Sequence, residues 1–313
     1  MGSFIDAVGE FFANLAAVNW PQLLLALLAF GGYLTLRARA SYNILRAAYP
    51  GADMRFPKIW GAYFAAYGFN NVVPARGGDV IRLFLTRGAV PGSSYPAVGA
   101  SFGVELVFDA VVGGLVLCFA FTQGVFPKPP DFSKLPAFDI AFFASHPQFT
   151  LFVLTALAIL ALIAFAVLSA RVKAFWARVR QGLTILFDRR RYLREVFAVQ
   201  FAGWLLRCTA FWFLLEAFGV GGSVRNVLLV LGVNAVAAAV PFTPGGAGVQ
   251  QALLATVFAG TADGATVAAY SVGAQIAIAA FTFGVGLAAV VWIFRFRSFR
   301  EVIAAGREAR ATT

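Results

Sequence analysis

Cysteine, methionine and histidine are nearly missing from this chain. Its 313 residues include two Cys, two Met and one His. Cys118 and Cys208 both lie inside apolar segments, which excludes a disulfide framework and a thiolate metal site. His146 stands beside Pro147 in a loop, and no Ser-His-Asp set, HExxH helix or Walker A loop accompanies it. No catalytic residue, metal or cofactor is expected, and the chain reads as a non-enzyme. Acids are scarce too: 14 Asp and Glu stand against 25 Lys and Arg, a formal net charge of +11. The first 36 residues contain no Lys or Arg, so the basic start of a secretory signal is not expected.

Hydrophobic residues fill the space. They make up 60% of the chain, with 34 Phe and a mean hydropathy of +0.80. This is the composition of an integral membrane protein. In a soluble protein the positive charge would suggest nucleic acid. Here the basic residues flank apolar segments, as the positive-inside rule and anionic headgroups require, and no nucleic-acid partner is expected.

The longest uncharged run, Asn226 to Ala262, has 37 residues. As one helix it would measure about 55 Å, against a bilayer core of about 30 Å. Pro241-Phe242-Thr243-Pro244-Gly245-Gly246-Ala247-Gly248-Val249 cuts it into two pieces, each too short to cross. A re-entrant helical hairpin solves this, its loop lining a wet cavity because bare backbone is not tolerated in lipid. A similar break, Val73-Pro74-Ala75-Arg76-Gly77-Gly78, follows the short apolar stretch at 59–75. Longer spans are expected at 21–36, 96–122, 149–170, 196–217 and 266–294.

The expected fold is therefore an all-α polytopic membrane protein. It has about five spanning helices and two re-entrant hairpins in an inverted-topology repeat, an arrangement that puts a substrate site between broken helices. Residues 1–313 form one transmembrane domain, with a first repeat at 20–123 and a second at 195–296. Between them lie a linking helix and basic connector at 148–194. Lys and Arg test the topology. Eight fall in 37–87, eight in 171–194 and five in 295–310; Lys128, Lys134 and Arg225 fall on the other side. That places the N-terminus outside and the C-terminus in the cytoplasm. The first hairpin then enters from the cytoplasm and the second from outside.

Few ionisable residues lie at depth. Arg76, Asp79 and Arg82 share one helix face, as do Glu105 and Asp109. They form either a self-neutralised structural network or a site that keeps an Arg for an anionic headgroup, since the guanidinium fork suits phosphate. Arg207 has no partner on its own helix, which leaves an ion pair with Glu105 or Asp109, or a substrate contact. Glu216 is expected to snorkel to the interface. Gly245, Gly246 and Gly248 open a short helix whose free N–H groups attract anions, or else they permit a sharp turn and close helix crossing. Thr243 and Gln251 are neutral candidates for the cavity wall.

At Pro74-Ala75-Arg76-Gly77-Gly78-Asp79-Val80-Ile81-Arg82 the chain resembles the flippase-like family of the lysylphosphatidylglycerol synthase membrane domain. The family pattern is P-A-R-x-G-E-x-x-R, and Asp79 stands for its Glu. A second pattern, E-R-x-x-D, is met at Glu105 to Asp109 with Leu106 for the Arg. A third, P-x-x-P-G-G-x-G-x-x-E, is met at Pro241 to Gln251 with Gln for the final Glu. The resemblance covers about residues 20–296. It implies movement of a lipid with an anionic or phosphate-bearing headgroup across the bacterial inner membrane. Arg76 and Arg82 would contact the headgroup from the cytoplasmic half, and Gly245 to Gly248 from the outer half. Aminoacyl transfer, which longer members add in a soluble domain, is not expected of a chain ending at Thr313. Leu106 and Gln251 are expected to change the cavity's charge. Two alternatives stand beside lipid transport: proton-coupled transport of a small solute through Glu105 or Asp109, and a non-transporting lipid-binding partner. Membrane lipid is the implied partner, and self-association is compatible with each.

Overall fold

The computed structural model describes residues 17–71, 77–123, 175–238, 248–260 and 262–295, and among them every regular element is helical. Helix α1 runs from Trp20 to Ala48. Asn19 caps it by accepting from the Gln22 N–H at 3.4 Å, and Pro21 opens its first turn. Two short helices follow, α2 at Phe56–Asn70 and α3 at Gly77–Ala89, then a long one, α4, at Tyr95–Thr122. A short helix at 175–182 and a 3-10 turn at Thr184–Phe187 lead into α5, Arg189–Ala217, which carries a π turn at Leu193–Phe197. Two more short helices come next, α6 at Val224–Ala238 and α7 at Val249–Val257. The long α8 at Gly264–Trp292 completes the described fold.

The chain is a multi-pass membrane protein. Among the described residues four helices are long and apolar enough to cross: α1, α4 over Tyr95–Ala120, α5 and α8. These agree with four of the five spans expected from sequence. The fifth, at 149–170, lies outside the described residues, as do residues 73–76 and 241–247 of the two hairpin breaks. Helices α2 and α3 have 15 and 13 residues, and α6 and α7 have 15 and 9. At 1.5 Å per residue none exceeds about 23 Å, short of a bilayer core.

The order long–short–short–long occurs twice. Helix starts at 20, 56, 77 and 95 recur at 189, 224, 249 and 264, a displacement of 168 to 172 residues. Burial follows this spacing. Ala97, Ser101 and Val104 are buried, and so are Val267, Ser271 and Ala274; Leu106 and Ile276 are both exposed. Packing follows it too. Helix α1 lies along α5, α2 packs on α8 and α6 on α4. Helices α1 and α5 are antiparallel: the Asn19 N–H reaches the Ala217 carbonyl, and Asn43 Nδ2 reaches the Glu195 carbonyl at 2.8 Å. Near their crossing Gly203 faces Tyr33 and Leu36.

Backbone meets backbone where α2 crosses α8. A Cβ at Gly68 would stand 2.6 Å from the Thr282 carbonyl, and one at Gly286 would stand 2.8 Å from the Phe64 carbonyl. Small residues let membrane helices approach closely because packing, not hydrophobic exclusion, drives their association. Gly286→Val is expected to lower stability by about 1–3 kcal/mol, as overpacking does. Thermal unfolding in detergent checks this, with Gly284→Val, at a position open to space, as the neutral comparison.

Near the end of α5, Glu216 Oε1 accepts the Gly222 N–H at 2.7 Å and so closes the turn between α5 and α6.

Candidate functional site

Four helices bring a charged cluster together inside the first half. Arg37 and Ser41 lie one turn apart on α1. Tyr63 comes from α2, Arg82 from α3, and Phe102, Glu105 and Asp109 from one face of α4. The Arg37 fork holds Asp109 bidentately, Nη1 to Oδ1 at 2.5 Å and Nη2 to Oδ2 at 2.7 Å. Its Nε donates to the Tyr63 hydroxyl at 3.0 Å, and that hydroxyl donates to Glu105 Oε2 at 3.2 Å. Arg37 Nη2 is also 3.6 Å from Glu105 Oε2. Arg82 Nη2 donates to Glu105 Oε1 and to Ser41 Oγ, the latter at 2.9 Å. The Arg82 guanidinium is held between two rings, 4.2 Å from the Tyr63 centroid and 3.9 Å from the Phe102 centroid.

Two guanidinium groups and two carboxylates make the cluster neutral. Each charge has a hydrogen-bonding partner, which is what lowers the energy of ions placed away from water. Exposure is graded along it: the Glu105 side chain is 3% exposed, Arg37 9%, Arg82 12% and Asp109 42%. Asp109 is thus its open end.

The sequence placed some of this correctly. Arg82, Glu105 and Asp109 do come together. Asp79 does not join them; its carboxylate accepts from Asn70 Nδ2 at 3.0 Å, while Asn70 Oδ1 accepts the Gly78 N–H at 2.8 Å. Asn70 thereby ties the end of α2 to the start of α3 across the break. Arg207 pairs with neither Glu105 nor Asp109. It lies over the Tyr33 and Phe211 rings at 5.6 and 5.8 Å and has no carboxylate partner among the described residues. Arg76, Thr243, Gly245 and Gly246 lie outside the described residues.

Gly248 is the N-cap of α7 with φ of 85°, a left-handed conformation that favours glycine. Gln251 Oε1 accepts the Gly248 N–H at 2.6 Å, and its Nε2 donates to Gln275 Oε1 at 2.6 Å. The amide accepts and donates at once, which a carboxylate cannot do. Gln251→Ala is expected to lower stability by about 1 kcal/mol through loss of this cap, read by thermal unfolding. Leu106 is 61% exposed and lies one turn from Phe102 and Asp109 on α4.

Arg37, Tyr63 and Ser41 were not singled out from sequence. By charge alone Arg37 reads, with Arg39 and Arg46, as cytoplasmic charge. The available signal was its helical position, three after Leu34 and four before Ser41, both buried.

The family described as the lysylphosphatidylglycerol synthase TM region matches the chain over residues 4–286. No curated protein matches it.

Proposed function

Because the chain belongs to the lysylphosphatidylglycerol synthase TM region family, we propose that it moves a lipid with an anionic or phosphate-bearing headgroup across the bacterial cytoplasmic membrane. The observation that carries this is a hydrogen-bonded cluster of four charges among apolar helices, at the point where α1, α2, α3 and α4 converge. Such groups are expensive in lipid and mark polar pathways. A headgroup would travel along this seam while its tails remain in lipid.

An inverted repeat is the second part of the proposal. Helices α1 to α4 and α5 to α8 would be two copies, with α2–α3 and α6–α7 as re-entrant hairpins from opposite faces. Tyr33 and Gly203, which the displacement of 170 makes counterparts, touch each other as residues beside a two-fold axis do. The exchanged pairs α2 on α8 and α6 on α4 fit the same axis. The basic asymmetry supports an outer N-terminus and a cytoplasmic C-terminus. Both acids of the cluster are salt-bridged, which favours lipid movement over proton-coupled solute transport through them.

Purified protein in liposomes should accelerate the crossing of a fluorescent phosphatidylglycerol, read by loss of signal to a membrane-impermeant quencher. A rate equal to that of protein-free vesicles would refute lipid movement. Ala75→Cys and Gly245→Cys, in a chain without Cys118 and Cys208, should label through water from opposite sides. Labelling of both from one side would refute the inverted hairpins.

A further inference from the structure

The displacement of 170 residues places Arg207 where the first half has Arg37, Gln275 where it has Glu105, and Ala279 where it has Asp109. Burial supports that register between α1 and α5. Phe30 and Gln200 are 1% and 0% exposed, Ile44 and Leu214 are each 1%, and Leu45 and Leu215 are each 0%. A similar contact joins the short and long helices of each half, one residue out of that register on the short helix: Gln251 on α7 bonds Gln275 on α8, and Arg82 on α3 bonds Glu105 on α4. One pair is neutral where the other is ionic.

The second half has therefore kept its arginine and lost both acids. Arg37 holds Asp109 through both arms of its fork. Arg207 has aromatic rings for neighbours, and its buried Nε lacks a hydrogen-bond partner among the described residues. Ten residues separate it from Ala217, about 15 Å from that end of α5 and near mid-depth. Two turns away on the same helix face, Gln200 is wholly buried with Oε1 and Nε2 both unpartnered. Unsatisfied donors in such a place are rare and call for a partner.

We infer that Arg207 is a bare cation that takes the phosphate of an anionic lipid, whereas the equivalent station in the first half is closed by its own carboxylates. This rests on the lipid-transport proposal and gives it an address. The headgroup phosphate would sit on the Arg207 fork, with Gln200 as a neutral donor beside its path and the acyl chains out in lipid. A cation with no counter-ion among the described residues also biases the site against positively charged headgroups.

The test is native mass spectrometry of the full chain in neutral detergent, titrated with phosphatidylglycerol and, separately, with inorganic phosphate. Arg207→Gln should weaken phosphatidylglycerol binding about tenfold or more, and Arg207→Lys should retain part of it. Ala279→Asp supplies the missing acid; it should weaken binding as much as Arg207→Gln while leaving the arginine in place. Circular dichroism checks folding, and if one variant does not fold the other two decide. Binding by Arg207→Gln and Ala279→Asp within about twofold of the parent would overturn the inference. Displacement of the lipid by inorganic phosphate would assign the site to a free anion and overturn the lipid assignment. The same variants in the liposome assay separate the two proposals. Lipid movement with unchanged binding in Arg207→Gln refutes the address alone. Binding through Arg207 without lipid movement in the parent refutes transport alone.

Discussion

Arg37→Met is expected to destabilise the chain by about 3–5 kcal/mol, the effect of removing one partner from a buried ion pair. The loss is not that of a single bond. Arg37 donates to both oxygens of Asp109 and to the Tyr63 hydroxyl, and it lies beside Glu105. Without it two carboxylates share one guanidinium, that of Arg82, and the cluster carries a net negative charge in a region of low polarity. Asp109→Asn should be milder, about 1–3 kcal/mol, because the side chain is less enclosed, at 42% exposed, and the amide still accepts a hydrogen bond. Arg37→Met combined with Asp109→Leu should recover much of the loss, since a buried pair replaced by apolar residues is often close to neutral. Thermal and SDS-induced unfolding of the three variants measures these differences. If Arg37→Met alone matched the parent, the cluster would not be holding α1 to α4.

The architecture was legible because lipid imposes a coarse rule. A long, predominantly apolar run reads as a span, and one cut by Pro and Gly reads as two short helices. Residues 21–36, 96–122, 196–217 and 266–294 obeyed this closely. The acids at 105 and 109 were legible for a related reason: a carboxylate inside such a run must find a partner, and four residues apart means one face. The role of Arg37 is not legible from charge counting, which ignores direction. Counting groups Arg37 with Arg39, yet residues two apart lie about 200° apart around a helix. Arg39 faces the Tyr42 and Phe56 rings, while Arg37 points to the interior. Asp79 shows that a shared face does not by itself make a contact. Sharing a face with Arg82 suggested one network, but Asp79 lies in the first turn of α3, where Asn70 holds it across the break. Gln251 was a candidate for the cavity wall, and its amide is spent on Gly248 and Gln275. The repeat was visible as an order of elements. Its register needed helix boundaries, because Leu36-Arg37 and Leu206-Arg207 are too short a match to set an alignment by themselves.

Rewriting the first half in the image of the second should have the other large effect. Glu105→Gln with Asp109→Ala reproduces the residues at 275 and 279. Arg37 and Arg82 then remain, with side chains 9% and 12% exposed and no carboxylate between them. In neutral detergent the doubly substituted chain is expected to lose at least about 3–5 kcal/mol, as when a buried charge is stripped of its partner. Phosphatidylglycerol should restore part of this, because a ligand that binds only the folded state stabilises it by RT ln(1 + [L]/Kd), about 2.7 kcal/mol at a hundredfold excess over Kd. The parent, whose first station is filled by its own acids, should gain less from the same lipid. The measured quantity is the difference in unfolding temperature with and without phosphatidylglycerol, parent against variant. An equal lipid response in both would mean that an uncovered arginine pair at this depth does not capture phosphate. That result would also weaken the case for Arg207, since both stations depend on the same chemistry: a guanidinium without an internal acid accepts the anion that the lipid supplies.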